Sequence, residues 1–341
     1  MTGGTLILHR AGPGVTVQDE GRPYRLAEGL SRGGAADRLA LIEAAALLGL
    51  NAPVAALEMA MLGCDVTCTA PTRLALTGAR MAADLNGTSL APNSTFWMTP
   101  EDRLSIGAAR AGTYSYLTPA GGIQTSEIIG SRAAHLTAGI GKPLQAGDEL
   151  PMGEDPDPNA PPMILRVENR LSGGSVRVMP GPQSDLFDAE TRARFFATEF
   201  RRARTGNRQG VRLDAEGPPF TTQTETLASD IIQPGDVQMT GDGVPYVLLS
   251  ECQTMGGYPR IGTVIAPDLG RVAQAAPGTS LRFAEVSAAE ADALWRSEAD
   301  QLIALRKSVQ PLRRDPHDIP DLLSYQLISG VVRGDEQGGT G

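Results

Sequence analysis

Apolar residues in this chain recur mostly in short runs cut by glycine, proline or charge, the pattern of β-strands joined by tight turns. The first run is Thr-Leu-Ile-Leu-His at 5–9. Residues 37–50 break the pattern. Leu39, Leu41, Ile42, Leu47 and Leu48 supply one apolar face, Asp37 stands where a cap belongs and Gly49 closes the stretch, so a helix is expected. Short runs return at 57–59, 65–68, 73–76, 83–85, 95–98, 103–106 and 113–117. Asn86-Gly87 between two of them is a strong hairpin signal. Strands at this spacing predict a sandwich or barrel, with 77–79 and 119–123 as tight β connections.

Residues 153–162 read Gly-Glu-Asp-Pro-Asp-Pro-Asn-Ala-Pro-Pro. Such a segment buries little apolar surface and favours extended backbone, so it is the expected linker. A second unit is expected from Met163, with strands at 163–167 and 176–179 and near Val237, Tyr246, Ile261 and Leu281. Helices are expected at 188–198 and 268–275. The longest helix is expected at 287–309: Ser287 and Glu290 form a capping box, and Ala291, Leu294, Trp295, Ala299, Leu302, Ile303 and Leu305 make a stripe that would pack on the second unit. Arg201, Arg202 and Arg204 read as the solvated end of a helix. The expected division is a β-rich unit at 1–153, a linker at 154–162, a second unit at 163–330 and a disordered tail at 331–341.

Composition narrows the class. The 341 residues suffice for two ordinary domains, and 41% apolar with 20% charged residues is a globular balance. Aromatics are only 4%, so Ala, Leu, Val and Ile must carry the cores. A net charge of −9 argues against a general nucleic-acid or anionic-membrane surface. Cys64, Cys68 and Cys252 are too few for a disulfide framework and suit a reducing cytosol. The Cys-x-x-x-Cys spacing of the first two has no second ligand pair, which favours strand residues over a metal site. No apolar stretch reads as a signal peptide or membrane span, so a cytoplasmic protein is expected. His9, His135 and His317 lie far apart, which suggests neither a histidine-rich metal site nor a Ser-His-Asp triad.

Candidate chemistry gathers in three segments. In Gln253-Thr254-Met255-Gly256-Gly257-Tyr258-Pro259-Arg260, paired glycines allow close backbone approach, and an amide, a hydroxyl, a phenol and a guanidinium could bind a small planar amide, urea or carboxylate. Gln18, Asp19 and Arg22 lie in Thr-Val-Gln-Asp-Glu-Gly-Arg, followed by Gly33-Gly34-Ala35-Ala36-Asp37-Arg38. Asp19 and Arg22 read as an ion pair that could orient a ligand. On the residues alone, a loop ion pair with Asp37 as a plain helix cap is slightly favoured. Arg208 and Arg212, in Asn-Arg-Gln-Gly-Val-Arg-Leu, could share one side of an extended strand and bind an acidic group, or form a solvated basic edge. Tyr258 could donate to a developing oxyanion or simply pack. Cys252 sits in an apolar setting that raises a thiol pKa, which argues against a nucleophile. Glu58 could face a cleft or a strand edge. The chain has no Walker A pattern and no biotin-carrier lysine motif.

These segments, with Gly130-Ser131-Arg132 and an echo at 327–332, resemble the allophanate hydrolase subunit 2 or biotin-dependent carboxyltransferase-like family from about Gly14 to Val286. The chain departs from the family pattern at Gly33, where serine is frequent, and at Val211, where tyrosine is usual. Cys252 and Met255 stand where the family has arginine and threonine, and Arg260 where lysine is common. The resemblance implies β-rich α+β architecture with cyclophilin-like β-barrel domains and accompanying helices. It implies the C-type subunit of an ATP-dependent 5-oxoprolinase, which opens 5-oxo-L-proline to L-glutamate together with relatives of the A-type and B-type subunits. ATP would be used by the complex, with no cofactor held by this chain. Asp19, Gln253 and Tyr258 would then be catalytic. Gln18, Arg22, Asp37, Arg208, Arg212, Thr254, Gly256, Gly257 and Arg260 would bind substrate. Two alternatives stay open: a carboxyltransferase component of a biotin-dependent urea or amide carboxylase, and a non-catalytic protein that binds a kinase inhibitor.

Overall fold

The computed structural model describes residues 3–222 and 227–312. The described residues form an eleven-stranded sheet, a closed seven-stranded barrel and a two-stranded ribbon. The large sheet runs from Val309–Pro311 through Met163–Leu165, Ser94–Met98, Thr72–Leu85, Leu104–Pro119, Cys64–Cys68 and Thr5–Ala11 to Glu149–Pro151. Ala56–Ala60 pairs with Leu104–Pro119 and carries Thr16–Gln18 on its other edge. Alternation along Cys64–Cys68 sends Cys64, Val66 and Cys68 inward. Asn86 and Gly87 both adopt positive φ, 52° and 81°, and turn the chain between Leu85 and Thr88 as a tight hairpin requires.

The helix Arg38–Leu48 is buried from Ala40 to Leu48 against the large sheet. Ala40, Ala44, Ala45 and Ala46 let its backbone approach closely, and Thr77 Oγ1 donates to Ala40 O at 2.8 Å. Asp37 occupies the cap position but makes no side-chain cap bond. Its carboxylate is engaged elsewhere.

The barrel runs Gly174–Met179, Arg260–Val264, Asp236–Met239, Pro245–Leu248, Gly210–Asp214, Glu199–Gly206 and Ser280–Glu285. A parallel pairing of the last strand with the first closes it. Five of the chain's seven phenylalanines collect around Phe195, on the helix Ala189–Ala197 beside the barrel: Phe195, Phe196, Phe200, Phe220 and Phe283. Most of the phenylalanines are thus concentrated in one cluster.

Several elements depart from the sequence pattern. The expected helix at 287–309 is two helices, Ala288–Leu294 and Glu298–Arg306. Ser297 restarts the chain as a cap, accepting from Asp300 N at 3.1 Å. Trp295 lies in the break and is 57% exposed. The second helix packs through Leu302 against Ile42, Leu47 and Leu48 of the first unit, not against the barrel. Met163–Leu165, expected to open the second unit, instead pairs with Ser94–Met98 and Val309–Pro311 at the edge of the large sheet. The segment before it is pinned, because buried Arg73 forks onto both oxygens of Asp155 at 2.8 and 2.7 Å. Arg201, Arg202 and Arg204 lie in the strand Glu199–Gly206, not at a helix end, and Arg202 is buried. Residues 77–79 are interior to the strand Thr72–Leu85, where Gly78 takes φ 81° at a register shift. The cysteines are free and buried. No helix among the described residues is long and apolar enough to cross a membrane. The motif echo at 327–332 and the tail at 331–341 lie outside the described residues.

Candidate functional site

Two early loops cross each other under the site. Arg22 N donates to Arg32 O at 2.7 Å and Ala35 N to Asp19 O at 2.9 Å. The crossing needs glycine on both strands of chain. Gly21 (φ 77°) would set a Cβ 2.4 Å from Arg32 O, and Gly34 (φ 76°) would set one 2.6 Å from Gly21 N. That contact holds the two motifs against each other.

Asp19 and Arg22 are not hydrogen-bonded to each other. Asp19 Oδ1 accepts from Ser131 Oγ at 2.6 Å and Gly21 N at 2.8 Å, and Oδ2 accepts from Arg132 N at 2.7 Å. Arg22 donates to three carbonyls, Ile128 O, Ser131 O and Ala133 O, at 2.8, 3.1 and 2.8 Å. Burial lowers its pKa. Gln18 is fully buried and donates to Thr16 Oγ1 and Ala134 O at 2.9 and 3.2 Å. These three side chains therefore brace the 128–135 segment from beneath.

Asp37 is fully buried between the large sheet and the barrel. Its Oδ2 accepts from Arg170 Nε and from Gln274 Nε2, both at 2.8 Å. Arg170 in turn forks onto Glu43 at 2.6 and 2.8 Å. The helix Ala266–Gln274 approaches so closely that a Cβ on Gly270 would meet Asp37 Oδ1 at 2.9 Å. Asp37 thus joins two parts of the fold and is sealed from ligand.

Arg208 and Arg212 do not act together. Arg208, in the turn before Gly210–Asp214, is buried and contacts Glu251 Oε1 at 2.6 Å, Glu58 Oε1 and Gly34 O. Burial opposes its charge, but the two carboxylates outweigh it and raise its pKa further above the ordinary arginine range. Glu58 also accepts from Ala36 N and Tyr116 Oη at 2.8 and 2.7 Å, so it faces neither a cleft nor a strand edge. Arg212 is half-exposed, pairs with Asp214 at 2.9 Å and borders a different hollow of about 330 Å³, with 213–220 and 242–245.

The late loop forms one wall of a cleft of about 270 Å³. Cys252, Gln253, Thr254 and Met255 face Gly29, Leu30 and Ser31, with His135, Thr137 and Ala138 between them. Gly33 N donates to Ser250 O at 2.9 Å and ties the early loop to the late one. Gly33 itself takes φ 63°, and a Cβ there would stand 2.8 Å from His135 Cδ2. Glu251 Oε2 accepts from Thr137 N and Oγ1 at 3.1 and 3.3 Å, which fixes the floor. Burial would raise the Glu251 pKa; Arg208 and these donors overcome that and lower it. The side chains of Gln253 and Thr254 make no hydrogen bond with another described residue.

The other loop residues point elsewhere. Gly256 pairs with Asp230 in the ribbon, and Gly257 and Tyr258 are exposed, Tyr258 at 51%. Arg260 donates to Gln183 Oε1, Ile231 O, Asp236 Oδ2 and Asp230, holding the ribbon to the barrel. Cys252 packs with Ile232 and Leu248, and burial pushes its thiol to about 12. Asp19, Tyr258, Arg212 and Arg260 thus do not line the cleft. Ser31, His135, Thr137 and Glu251 were missed. The one signal in the sequence is a charged Glu251 two residues past the apolar run Val247-Leu248-Leu249.

Buried Arg208 ties the barrel to the large sheet and the early loop, and the early and late loops meet at one cleft. The chain belongs to the family described as carboxyltransferase domain, subdomain A and B, whose model matches residues 28–285. It is 34% identical over 290 residues to the C-type subunit of 5-oxoprolinase from Escherichia coli (strain K12), covering 84% of this chain and 93% of that one. It is 30% identical over 303 residues to the C-type subunit of 5-oxoprolinase from Haemophilus influenzae, covering 86% and 96%. The crystal structure of the Kluyveromyces lactis urea carboxylase superposes with a TM-score of 0.79 at 24% identity, over 92% of this chain and 31% of that one, a likeness of fold.

Proposed function

We propose that this chain is the C-type subunit of an ATP-dependent 5-oxoprolinase and supplies an amide-binding cleft for conversion of 5-oxo-L-proline to L-glutamate. The cleft between Ser31 and Gln253 carries the proposal. Its small volume suits a compact ring, and Gln253 and Thr254 present an amide and a hydroxyl with no partner among the described residues. A lactam offers one carbonyl and one N–H, which such groups match. Asp19, Arg22 and Arg208 act by bracing the backbone around the cleft rather than by touching substrate. Opening an unactivated lactam requires coupling to ATP, which this reading assigns to relatives of the A-type and B-type subunits. The relatives' names as subunits support the need for partners, and a cytoplasmic site of action is part of the proposal.

Carboxyl transfer from carboxybiotin to urea or another amide is the second reading, supported by the fold shared with urea carboxylase. The test is co-expression with the A-type and B-type relatives and assay of 5-oxoproline-dependent ATP hydrolysis. Activity only in the complete complex is expected. Carboxylation of urea without turnover of 5-oxoproline would establish the second reading. Tight partner binding with neither activity would point to a regulatory protein.

A further inference from the structure

Ser31 Oγ lies 2.9 Å from His135 Nε2, both side chains buried in the wall of the cleft. The other ring nitrogen decides the direction of this bond. His135 caps the short turn Leu136–Ala138, and its Nδ1 accepts from Ala138 N at 3.2 Å. An accepting ring nitrogen carries no proton, so the neutral imidazole holds its proton on Nε2. Nε2–H therefore donates to Ser31 Oγ. The hydroxyl proton of Ser31 then has no acceptor among the described residues.

The surroundings hold the ring neutral. Burial lowers the His135 pKa, and the charges facing it are Glu251, Arg208 and Arg22. Glu251 Oε2 stands 3.9 Å from Nδ1 and is occupied by Thr137 N and Oγ1. A serine activated as a nucleophile needs an unprotonated nitrogen facing it. Here that nitrogen faces the Ala138 amide instead.

We propose that Ser31 is a substrate-binding residue, held by His135 so that its free O–H donates to the carbonyl oxygen of a neutral amide and to the oxyanion that grows from it. His135 is its positioning residue. The proposal rests on the reading of the cleft as an amide site. A donor aimed at the developing charge strengthens in the transition state, so its loss falls mainly on kcat.

Two measurements test it. Nitrogen-15 histidine spectra of the full chain at pH 7.5 read the tautomer without any turnover. The expected result is a protonated Nε2 and an unprotonated Nδ1 on His135, assigned by its disappearance in His135→Gln. A protonated Nδ1 overturns the proposal. In the assembled complex, Ser31→Ala is expected to lower kcat by about 100-fold with KM little changed, and Ser31→Thr to restore most of it. Wild-type kcat in Ser31→Ala overturns the proposal while the amide reading stands. If the wild-type complex turns over neither 5-oxoproline nor urea, the amide reading fails. Titration of the chain with 2-pyrrolidinone then decides: a shift of the His135 Nε2 signal that vanishes in Ser31→Ala supports the donor, and no shift in the wild type overturns it.

Discussion

Arg208 donates through Nε to Glu251 Oε1 at 2.6 Å, from one end of a barrel hairpin to the base of the cleft loop. The same guanidinium reaches Glu58 in the large sheet and Gly34 O in the early loop. One side chain thus fixes three backbone segments relative to each other, which is how a cleft built from distant loops keeps its shape. Glu251 passes the constraint to Thr137, and the 135–138 turn carries His135.

Arg208→Met leaves Glu58 and Glu251 buried without their cation. Breaking one partner out of such a cluster costs about 3–5 kcal/mol, because the remaining charge stays desolvated. Arg208→Lys restores a charge but not three diverging donors, and an intermediate loss is expected. Arg212→Ala, with its exposed pair to Asp214, should leave the urea midpoint where it was. Equilibrium urea unfolding of the three variants separates these outcomes; equal midpoints for Arg208→Met and wild type would show that the cluster contributes no net stability.

His135 supplies a pH dependence of stability. Its folded pKa lies below the ordinary value of about 6.5, so the unfolded chain binds the proton more readily. Stability from this group is complete above about pH 6.5 and falls as the pH drops through the window below it. Glu251, also lowered in the fold, adds a loss in the same direction below its ordinary value near 4.5. Thermal unfolding between pH 7.5 and 5 should therefore show a falling midpoint in wild type and a flatter profile in His135→Gln. Parallel profiles would remove His135 as the source.

The strands, the Asn86-Gly87 hairpin and the late loop were legible because each is encoded within a few neighbouring residues. Gln253 and Thr254 were recognisable for the same reason: polar groups beside paired glycines between two strands. Glu58 and Arg208, by contrast, meet across 150 residues. No local period announces such a pairing. Asp19 and Arg22, three apart, suggest an ion pair, but each finds its partners in the 128–133 segment, Arg22 on carbonyls and Asp19 on the Ser131 hydroxyl and the Arg132 amide. The break after Leu294 was hidden by an apolar stripe that continues through it, although Ser297-x-x-Asp300 repeats the capping logic of Ser287 and Glu290. His135 and Ser31 escaped because each looks isolated until the fold brings them together.

Phe195 is the centre of the aromatic cluster, stacked on Phe283 at 5.1 Å between centroids and edge-on to Phe220 at 5.6 Å. It is fully buried. Phe195→Ala opens a cavity against four rings that cannot all move in, and a loss of about 3–5 kcal/mol is expected. Phe195→Leu should cost distinctly less. Calorimetry of both variants checks this, and a small loss in the alanine variant would mean that the cluster collapses around the gap.

The thiols should be inert in the native protein. Burial pushes Cys64 and Cys252 to about 12 and Cys68 to about 11, so little thiolate exists near neutrality. A colorimetric disulfide reagent at pH 8 should react with all three only after unfolding. Rapid native labelling of Cys252 would contradict its burial beside the cleft and reopen it as a reactive group.

Gln253 and Asp19 separate touching substrate from shaping the site. Gln253 is exposed in the cleft wall, and its side chain makes no hydrogen bond among the described residues, so Gln253→Ala should change stability by no more than about 0.5 kcal/mol. In the assembled complex the same variant should lose 5-oxoproline-dependent turnover. Asp19→Ala removes an acceptor used by Ser131 Oγ and by the Gly21 and Arg132 amides. It should lose about 1–3 kcal/mol and lose activity with it, because the loop that carries Ser131 to His135 is no longer held. Lowering the assay temperature should recover part of the Asp19→Ala activity and none of the Gln253→Ala activity. If Gln253→Ala turns over at the wild-type rate, substrate docks elsewhere, and the cleft between Ser31 and Gln253 loses its assignment.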